Sequence, residues 1–492
     1  MMNIVWATSE AAPYAKTGGL ADVSFSLPHA LAEDGHHVSV FMPYYPQVMA
    51  EQCADTVCVH ELLGVPFGDE NELWGSIRQH KLSDNLSFFF IEFDRYFDRP
   101  KLYDWDGHEY SDNAERFIFL SRAIMQAVLA LDLKVDVLHC NDWHTALCSV
   151  YLKSGLYESY DNFSETKSVM TIHNIGYQGV FNKANLYWTG LGWDYFNVNC
   201  FEFYDQLNLL KAGVLTADIV TTVSPTYAKE ILSVDYGFGL QRSLQHRAVQ
   251  GKLRGIINGI DELEWNPETD KLIPANFSHK DLRGKAICKA ELQKEFGLPI
   301  RPNVPLYGIV SRLATQKGLD VFIDCVEEML INDDVQFVII GSGDIAQEAA
   351  LLNYAKAYPN KFGCYIGYNN KRAHMVEAGS DFFVMPSRYE PCGLNQMYSM
   401  KYGTLPIVRS TGGLEDTVRN YSPKRINKST GFKFYDLHTD SLRTTMRWAA
   451  SIYHNEKTAF AKMIQNGMTI DFSWHHTAVE YEELYRHANS RF

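Results

Sequence analysis

Short apolar runs alternate with longer segments of helical character along most of the second half of the chain. Each run has the length of a strand, and a polar or glycine-containing turn follows it. This repetition predicts successive β-α units and therefore a parallel, doubly wound sheet. The runs are Leu306–Val310, 335–340, Phe362–Ile366, Phe382–Met385 and Leu405–Arg409.

The first half shows the same alternation with longer spacing. Strands are predicted at Asn3–Ala7, 38–42, 135–140, 169–172 and 219–223. The first predicted helix begins at about Ala21 and is bent by Pro28. Further helices are predicted over 112–131 and, at the other end of the chain, over 477–488. Residues 95–116 are aromatic and acidic, which predicts a long irregular loop.

Two predicted strands of the first half end in polar, titratable side chains. Asn141-Asp-Trp-His144 follows one strand, and His173-Asn174 follows another. Because ligands bind beyond the carboxyl ends of parallel strands, we expect both segments to line one cleft. A metal bound by His139, Asp142 and His144 is not favoured, since no matching cluster of further ligands recurs.

The loop after Phe382–Met385 carries Glu390 immediately before a predicted helix. The N-terminus of this helix offers a binding site for a phosphate, and a carboxylate beside a bound phosphate is unexpected unless the chemistry requires one. The alternative is structural, with Glu390 capping the helix or pairing with Arg388. Arg312 and Lys317 flank another strand-to-helix turn of this half. The guanidinium of Arg312 can donate two hydrogen bonds to a phosphate, and the ammonium of Lys317 can add a positive charge beside it.

The first strand-to-helix turn reads Lys16-Thr-Gly-Gly. Gly18 and Gly19 lack a Cβ, so their backbone can approach a ligand closely. They do not form the Gly-x-Gly-x-x-Gly pattern of dinucleotide sites, and a nicotinamide-type site is therefore not supported. Lys16 can contact a phosphate, although a solvated loop lysine is the alternative.

Composition excludes several classes of function. The chain has 492 residues and a net charge of −14, which argues against nucleic acid or an anionic membrane as the main partner. Its nine cysteines include no Cys-x-x-Cys, which fits a reducing compartment. No segment has the features of a signal peptide or a membrane span, so we expect a cytoplasmic protein. Asp104-Trp-Asp106 matches a metal-binding pattern, but no apolar strand precedes it, and we expect no metal there.

Two motifs carry a resemblance to a known family. The segment Ser387-Arg-Tyr-Glu-Pro-Cys-Gly-Leu-Asn-Gln resembles the donor-site signature of bacterial glycogen synthases and plant starch synthases. The segment Lys16-Thr-Gly-Gly-Leu-Ala-Asp-Val resembles their N-terminal signature. Asn395 stands where many bacterial enzymes have threonine, a form more familiar from starch synthases. The likeness runs from Asn3 to about Thr417 and weakens over 266–305.

The resemblance implies an α/β fold of the GT-B type, with two Rossmann-like domains facing each other across a deep cleft. Residues 1–257 would form the N-terminal, acceptor-side domain, to which 470–492 would return. Residues 258–469 would form the nucleotide-sugar-binding domain. The boundary near Asn258 agrees with the proline-marked polar region that follows it.

The implied activity is transfer of glucose from ADP-glucose to the non-reducing end of an α-1,4-glucan with retention of configuration. The residues alone leave UDP-glucose open as the donor. No cofactor or metal is implied. The expected catalytic residues are Glu390, His173, Lys317 and Arg312, and the expected substrate-binding residues are Lys16, Gly18, Gly19, Asp22, Tyr103, Asp142, His144, Asn258, Tyr368, Ser387, Cys392, Gly393 and Leu394.

The resemblance assigns Arg312 and Lys317 to the donor phosphates, with Lys16 reaching the donor from the other domain. It assigns Tyr368 to the base, and Glu390 and His173 to the glucosyl ring. In the version we favour, Glu390 stabilises the ring while the leaving phosphate takes the acceptor proton on the same face. In the other version a carboxylate is a covalent nucleophile.

Three other functions are compatible with this fold. The first is that of another nucleotide-sugar-dependent retaining glycosyltransferase. A phosphorylase-like transferase would need a lysine-bound pyridoxal phosphate, for which we identify no pocket in the sequence. A catalytically inactive glucan-binding subunit is disfavoured, because such a chain would be expected to lose at least one of Lys16, Arg312, Lys317 and Glu390.

Overall fold

The structure is a computed structural model that describes residues 1–49, 55–69 and 71–490. The chain divides into two compact units, Met1–Gly259 with Trp474–Phe492, and Ile260–Ser473. Residues 491 and 492, which belong to the predicted return segment 470–492, lie outside the described residues.

The first unit is built on a large sheet with two small accessory sheets. Its strands are β1 (Asn3–Ala7), β2 (His37–Pro43), β3 (Val57–Phe67), β4 (Asn71–Lys81), β5 (Leu86–Glu92), β6 (Asp104–Trp105), β7 (His108–Glu109), β8 (Val137–Asn141), β9 (Lys167–Ile172), β10 (Val180–Asn182), β11 (Glu202–Phe203), β12 (Gln206–Asn208), β13 (Ile219–Thr222) and β14 (Leu253–Gly255).

The large sheet has nine strands in the order β14-β13-β9-β8-β1-β2-β5-β4-β3. The seven strands from β14 to β5 pair in parallel, whereas β4 pairs antiparallel with both β5 and β3. All five residues of β8 are buried, as expected for a parallel strand with helices on both faces. Strand β4 instead alternates between exposed and buried positions along its centre, as an edge hairpin does.

The helices of the first unit cover the faces of this sheet. Helix α3 buries 13 of its 18 residues, which makes it the main packing element of that layer. The helices are α1 (Gly19–Glu33), α2 (Asp94–Phe97), α3 (Asn113–Ala130), α4 (Asp142–Thr145), α5 (Leu147–Lys153), α6 (Leu209–Thr216), α7 (Pro225–Glu230) and α8 (Gln241–Val249), with short 3₁₀ helices at Asp161–Phe163, Lys183–Thr189 and Trp193–Tyr195.

The second unit is a six-stranded sheet enclosed by helices. Its elements are α9 (Arg283–Glu295), β15 (Leu306–Val310), α10 (Leu319–Asn332), β16 (Gln336–Gly341), α11 (Ile345–Ala357), β17 (Phe362–Ile366), α12 (Asn370–Gly379), β18 (Phe382–Met385), α13 (Asn395–Lys401), β19 (Leu405–Arg409), α14 (Gly412–Thr417), β20 (Phe432–Phe434), α15 (Thr439–Asn455) and α16 (Lys457–Met468), with 3₁₀ helices at Thr315–Lys317 and Pro423–Arg425.

The strand order of the second unit is β17-β16-β15-β18-β19-β20, and all five pairings are parallel. The order reverses direction between β15 and β18, which is the topological switch point of such a sheet. The predicted parallel, doubly wound sheet is therefore confirmed. Its strands were predictable because strands buried on both faces read as continuous apolar runs.

The last helix, α17 (Trp474–Ser490), packs on the first unit, mainly against α1. The Tyr485 hydroxyl lies 2.6 Å from Nδ1 of the buried His139 on β8, whose Nε2 lies 2.6 Å from Thr171 Oγ1 on β9. The Glu482 carboxylate lies 3.0 Å from Nε2 of His36. These bonds join the end of the chain to the centre of the first sheet.

Two expectations about the first unit differ from the structure. The sequence reading did not find the β3–β4 hairpin. The stretch 95–116, predicted to be irregular, contains part of α2, the small β6–β7 hairpin and the first turn of α3. None of the helices in the described ranges combines the length and apolar character that crossing a membrane requires.

We expect Tyr485→Phe to lower the free energy of unfolding of the first unit by about 1 kcal/mol, because it removes the hydroxyl partner of a buried imidazole. Chemical denaturation followed by tryptophan fluorescence measures the change. Tyr204→Phe is the matched control, since the Tyr204 side chain is largely exposed. Equal stability of the two variants would contradict a role for this bond in docking α17.

Candidate active site

In the second unit, three loops meet beyond the carboxyl ends of neighbouring strands β15, β18 and β19. Lys317, from the loop after β15, places its Nζ 2.7 Å from Glu390 Oε2, from the loop after β18. Ser387 Oγ donates to the same oxygen over 2.9 Å. The Glu390 side chain is only 6% exposed, so this ion pair is well shielded from water on the carboxylate side.

Glycines allow these loops to approach one another. Gly318 and Gly412 have φ values of +66° and +46°, a region that favours glycine. A Cβ at Gly318 would overlap with the carbonyl oxygen of Pro386, and one at Gly412 with that of Glu390. Gly413 N–H donates to the Glu390 carbonyl over 3.1 Å. The backbone on both sides of Glu390 is therefore held by direct contact with the other two loops.

Arg388 does not pair with Glu390, so that structural alternative is wrong. Its guanidinium forms two bonds to Asp320 on α10, of 2.7 and 2.5 Å, and its backbone N–H donates to Gln316 O over 2.8 Å. Glu390 does not cap a helix either, because α13 begins five residues later with Leu394 at its N-cap. Arg388 instead joins the loop that carries Glu390 to the loop that carries Lys317.

The remaining predicted residues of this unit lie around the same loops. Cys392 is buried, while Gly393 and Leu394 are partly exposed and lead into α13. Arg312 is exposed, directly after β15. Tyr368 is also exposed, and its hydroxyl donates to Asn370 Oδ1 over 2.9 Å at the start of α12.

In the first unit, the loops after β8 and β9 are joined through Asp142 and His173. The Asp142 carboxylate accepts a bond from the His173 backbone N–H over 2.8 Å. Asp142 has a φ of +52°, an uncommon conformation for a residue with a side chain, of the kind that clusters at functional sites. Burial raises the pKa of Asp142 to about 7, although backbone N–H groups of His173 and Asn174 oppose the increase.

The hydrogen bonds of His173 define its tautomer. The side-chain amide of Asn141 donates to Ala7 O over 3.0 Å, so its oxygen accepts from His173 Nε2–H over 2.9 Å. Burial lowers the pKa of His173 to about 3, which keeps the ring neutral. Nδ1 therefore carries a lone pair and can accept a bond from a hydroxyl group.

Two further predicted residues have buried polar atoms without a hydrogen-bond partner in the described part of the chain. They are Nδ1 of His144 and Oδ1 of Asn258. Buried polar groups are normally paired, so each of these two atoms has hydrogen-bonding capacity to offer to a ligand or water. The Tyr103 ring lies 4.8 Å from that of His144, and its hydroxyl is 2.7 Å from Ser9 Oγ.

The turn between β1 and α1 contains the other predicted residues. Lys16 Nζ lies 2.6 Å from Asp22 on α1, and the Lys16 side chain is 52% exposed. Gly18 is the N-cap of α1, and Gly19 begins the helix. The sequence reading did not select Glu10, which is 2% exposed and accepts bonds from both Thr17 N and Thr17 Oγ1. The only signal in the sequence is a carboxylate in the loop after a buried strand, and this does not separate Glu10 from an ordinary solvated loop residue.

Asp104 and Trp105 lie in the small β6–β7 hairpin rather than after an apolar strand. Among the residues that the structure describes, no group of three or more His, Cys, Asp or Glu side chains has an arrangement that could hold a metal ion.

Two family profiles match the chain. The profile described as starch synthase catalytic domain matches residues 3–246, and the profile described as glycosyl transferases group 1 matches residues 291–450. Together they cover the Rossmann-like parts of both units.

Curated relatives match over nearly the whole length. A glycogen synthase of Koribacter versatilis is 46% identical over 99% of this chain and 98% of its own. Glycogen synthase 1 of Geobacter sulfurreducens is 43% identical over 98% of this chain and 96% of its own.

Solved structures agree with these matches. The catalytic domain of starch synthase IV from Arabidopsis thaliana, bound to ADP and acarbose, aligns with a TM-score of 0.89 and 31% identity over 100% of both chains. A sucrose-phosphate synthase from Thermosynechococcus elongatus aligns with a TM-score of 0.60 and 17% identity over 99% of both chains, which is a likeness of fold.

The fold and these likenesses define a GT-B glycosyltransferase, which confirms the predicted fold class. The chain belongs to the glycogen synthase and starch synthase family, so it is a glucosyltransferase.

We expect Gly412→Ala to reduce glucosyl transfer at least tenfold while the second unit stays folded. The substitution adds roughly 1–3 kcal/mol of backbone strain and forces the Glu390 carbonyl to move. Gly297→Ala is the control, because Gly297 also has a positive φ, of +70°, but a Cβ there meets no atom within 4 Å. Equal activity of the two variants would show that the contact does not position Glu390.

Proposed function

We propose that this chain transfers glucose from ADP-glucose to the non-reducing end of an α-1,4-glucan with retention of configuration. The observation that carries the proposal is the Lys317–Glu390 ion pair, whose carboxylate is buried, beyond the switch point of the second sheet. That is the position where ligands bind in such sheets. The starch synthase IV structure, which holds ADP and acarbose, supports ADP-glucose as donor and a glucan as acceptor.

The reaction has two electrostatic requirements. Departure of the nucleoside diphosphate concentrates negative charge on the leaving group, which cations must stabilise. The glucosyl ring becomes oxocarbenium-like, and a carboxylate or other electron-rich group near it lowers the barrier. No cofactor or metal is part of the proposal.

We assign the cationic role to Arg312 and Lys317 of the second unit and to Lys16 of the first. Arg312 and Lys16 are exposed or half-exposed, so a diphosphate can reach them without unfolding any element. Lys16 would exchange its bond with Asp22 for one with phosphate. The flexible stem of lysine suits this exchange.

Glu390 is proposed to act on the glucosyl ring. Both of its described side-chain hydrogen bonds converge on Oε2, which leaves Oε1 to contact the substrate. In the version we favour, Glu390 stabilises the ring and its hydroxyls, and the leaving phosphate takes the acceptor proton on the same face. The Lys317 contact supports this version, since a cation on one oxygen of a delocalised carboxylate draws electron density from both oxygens and makes the group a weaker nucleophile.

We assign recognition of sugar hydroxyls to the polar groups of the first unit. The His173 Nδ1 lone pair, His144 Nδ1 and Asn258 Oδ1 each have hydrogen-bonding capacity that the described protein groups leave unused. Tyr103 and Asp142 would complete this set. In the second unit, Tyr368 would contact the base, with Ser387, Cys392, Gly393 and Leu394 around the donor.

The proposal extends to domain roles and cellular context. Residues 1–257 with 470–492 would form the acceptor-side domain, and residues 258–469 the nucleotide-sugar domain. The net charge of −14 is unfavourable for nucleic acid or an anionic membrane as a partner. Buried thiols such as Cys140, Cys148 and Cys325 fit a cytoplasmic, reducing setting.

The test compares ADP-glucose with UDP-glucose, each labelled in the glucosyl group, on a soluble α-1,4-glucan. We expect turnover with ADP-glucose to exceed that with UDP-glucose at least tenfold. An exo-acting α-1,4-specific hydrolase should release the label first, because the new residue lies at the non-reducing end. Preference for UDP-glucose, or label resistant to the hydrolase, would contradict the proposal.

A further inference from the structure

Glu10 joins the two ends of the turn between β1 and α1. Its Oε2 accepts a bond from Thr17 N over 2.8 Å and from Thr17 Oγ1 over 2.6 Å. The side chain lies almost completely inside the first unit, with 2% of the residue exposed. A carboxylate that accepts two bonds from one residue holds both the backbone and the side chain of that residue.

The neighbours of Thr17 on both sides are at least partly exposed. Gly18, the N-cap of α1, has no side chain with which to cap the helix, and a Cβ there would meet no atom within 4 Å. Lys16, on the other side of Thr17, is half-exposed. The segment Lys16–Gly19 therefore borders open space, and the two bonds from Thr17 attach it to the interior.

The groups that face Glu10 are acidic or become anionic on deprotonation. Asp22 faces it from α1, Tyr45 from the segment after β2, Tyr103 from the segment before β6, and Asp142 from the end of β8. Lys16 is the cation of the turn itself and is paired with Asp22. Arg116 on α3 also acts on this cluster, through its interaction with Tyr45.

This environment places the titration of Glu10 close to neutrality. Burial raises the pKa of Glu10 to about 7, and the Asp22 charge adds to the increase, while the bonds from Thr17 and the Gly18 backbone oppose it. Above pH 7 the ionised form prevails and its bonds to Thr17 are charge-assisted. Below pH 7 the neutral form prevails, and its hydrogen bonds to Thr17 are about half as strong as the charge-assisted ones.

We propose that Glu10 is a positioning residue: its ionised carboxylate holds the Lys16–Gly19 segment in place for the donor, and protonation of Glu10 loosens that segment. The effect of Glu10 on donor use rests on the proposed function of Lys16. The effect of Glu10 on the order of the Lys16–Gly19 segment does not rest on it, and the two effects are tested separately.

The first experiment needs no substrate. Amide hydrogen exchange of peptides covering residues 11–22 is measured at pH 6 and pH 8, corrected for the intrinsic pH dependence of exchange. In the wild type we expect weaker protection at pH 6 than at pH 8. In Glu10→Gln, whose amide oxygen can still accept from Thr17 but does not ionise, we expect equal protection at both values. The same pH dependence in both proteins would overturn the inference.

Thr17→Val is the matched variant for the first experiment. It removes the hydroxyl bond to Glu10 and keeps the backbone bond, so protection should fall at both pH values while its pH dependence remains. We expect Glu10→Gln to fold, because the substitution replaces a carboxyl group whose ionised form is disfavoured by burial. Protection unchanged in Thr17→Val would also count against the anchoring role.

The second experiment measures kcat/KM for ADP-glucose from pH 5.5 to 9. Wild-type values should fall about eightfold between pH 7.5 and pH 6, the ratio of ionised fractions for a pKa of about 7. Glu10→Gln should abolish this fall or move it at least one pH unit lower. Asp142→Asn should retain it, although Asp142 has a similarly raised pKa.

A fall that persists unchanged in Glu10→Gln would overturn the positioning role of Glu10, and its loss in Asp142→Asn would assign the titration to Asp142 instead. A protein that transfers no glucose from ADP-glucose would contradict the proposed function instead, and the exchange experiment would still decide whether Glu10 controls the segment.

Discussion

The chemistry proposed for the second unit depends on a lysine–carboxylate pair held beyond the ends of its central strands. Lys317 and Glu390 are 2.7 Å apart, and the carboxylate is almost completely buried. Taking a carboxylate out of water is costly, whereas the Lys317 side chain is 21% exposed and keeps contact with water. A well-packed apolar pair would serve stability as well or better. The pair is therefore best explained by chemistry at this position.

Close contacts between loops fix the backbone around this ion pair. Gly318 and Gly412 allow three loops to touch where any Cβ would overlap with a carbonyl oxygen, and Arg388 joins two of those loops through Asp320. The first unit uses a similar principle, since Asp142 joins the loop after β8 to the backbone of His173. In both units, short polar links between strand-end loops position the groups that the proposal assigns to substrate.

Much of the second unit could be predicted from sequence, because strands such as Phe382–Met385 are buried on both faces and read as continuous apolar runs. The β3–β4 hairpin could not, since the apolar residues in the first half of β3 (Val57, Val59 and Leu62) are exposed and do not alternate regularly with polar ones. Glu390 was found by its motif. Its partner was harder to infer, because Arg388 is near in sequence whereas Lys317 is 73 positions away. Glu10 was missed because its burial and its bonds to Thr17 arise only in the folded loop.

Turnover of Glu390→Gln tests the central claim most directly. The variant keeps the size of the side chain and removes its charge, while Glu262→Gln removes a carboxylate that pairs with Lys401 at the same distance of 2.7 Å. The account predicts that Glu390→Gln loses at least 1,000-fold in kcat, about 4 kcal/mol of transition-state stabilisation, with its fold intact. Glu262→Gln should stay within about twofold of wild type, which is within about 0.5 kcal/mol. A near wild-type kcat for Glu390→Gln would contradict the account.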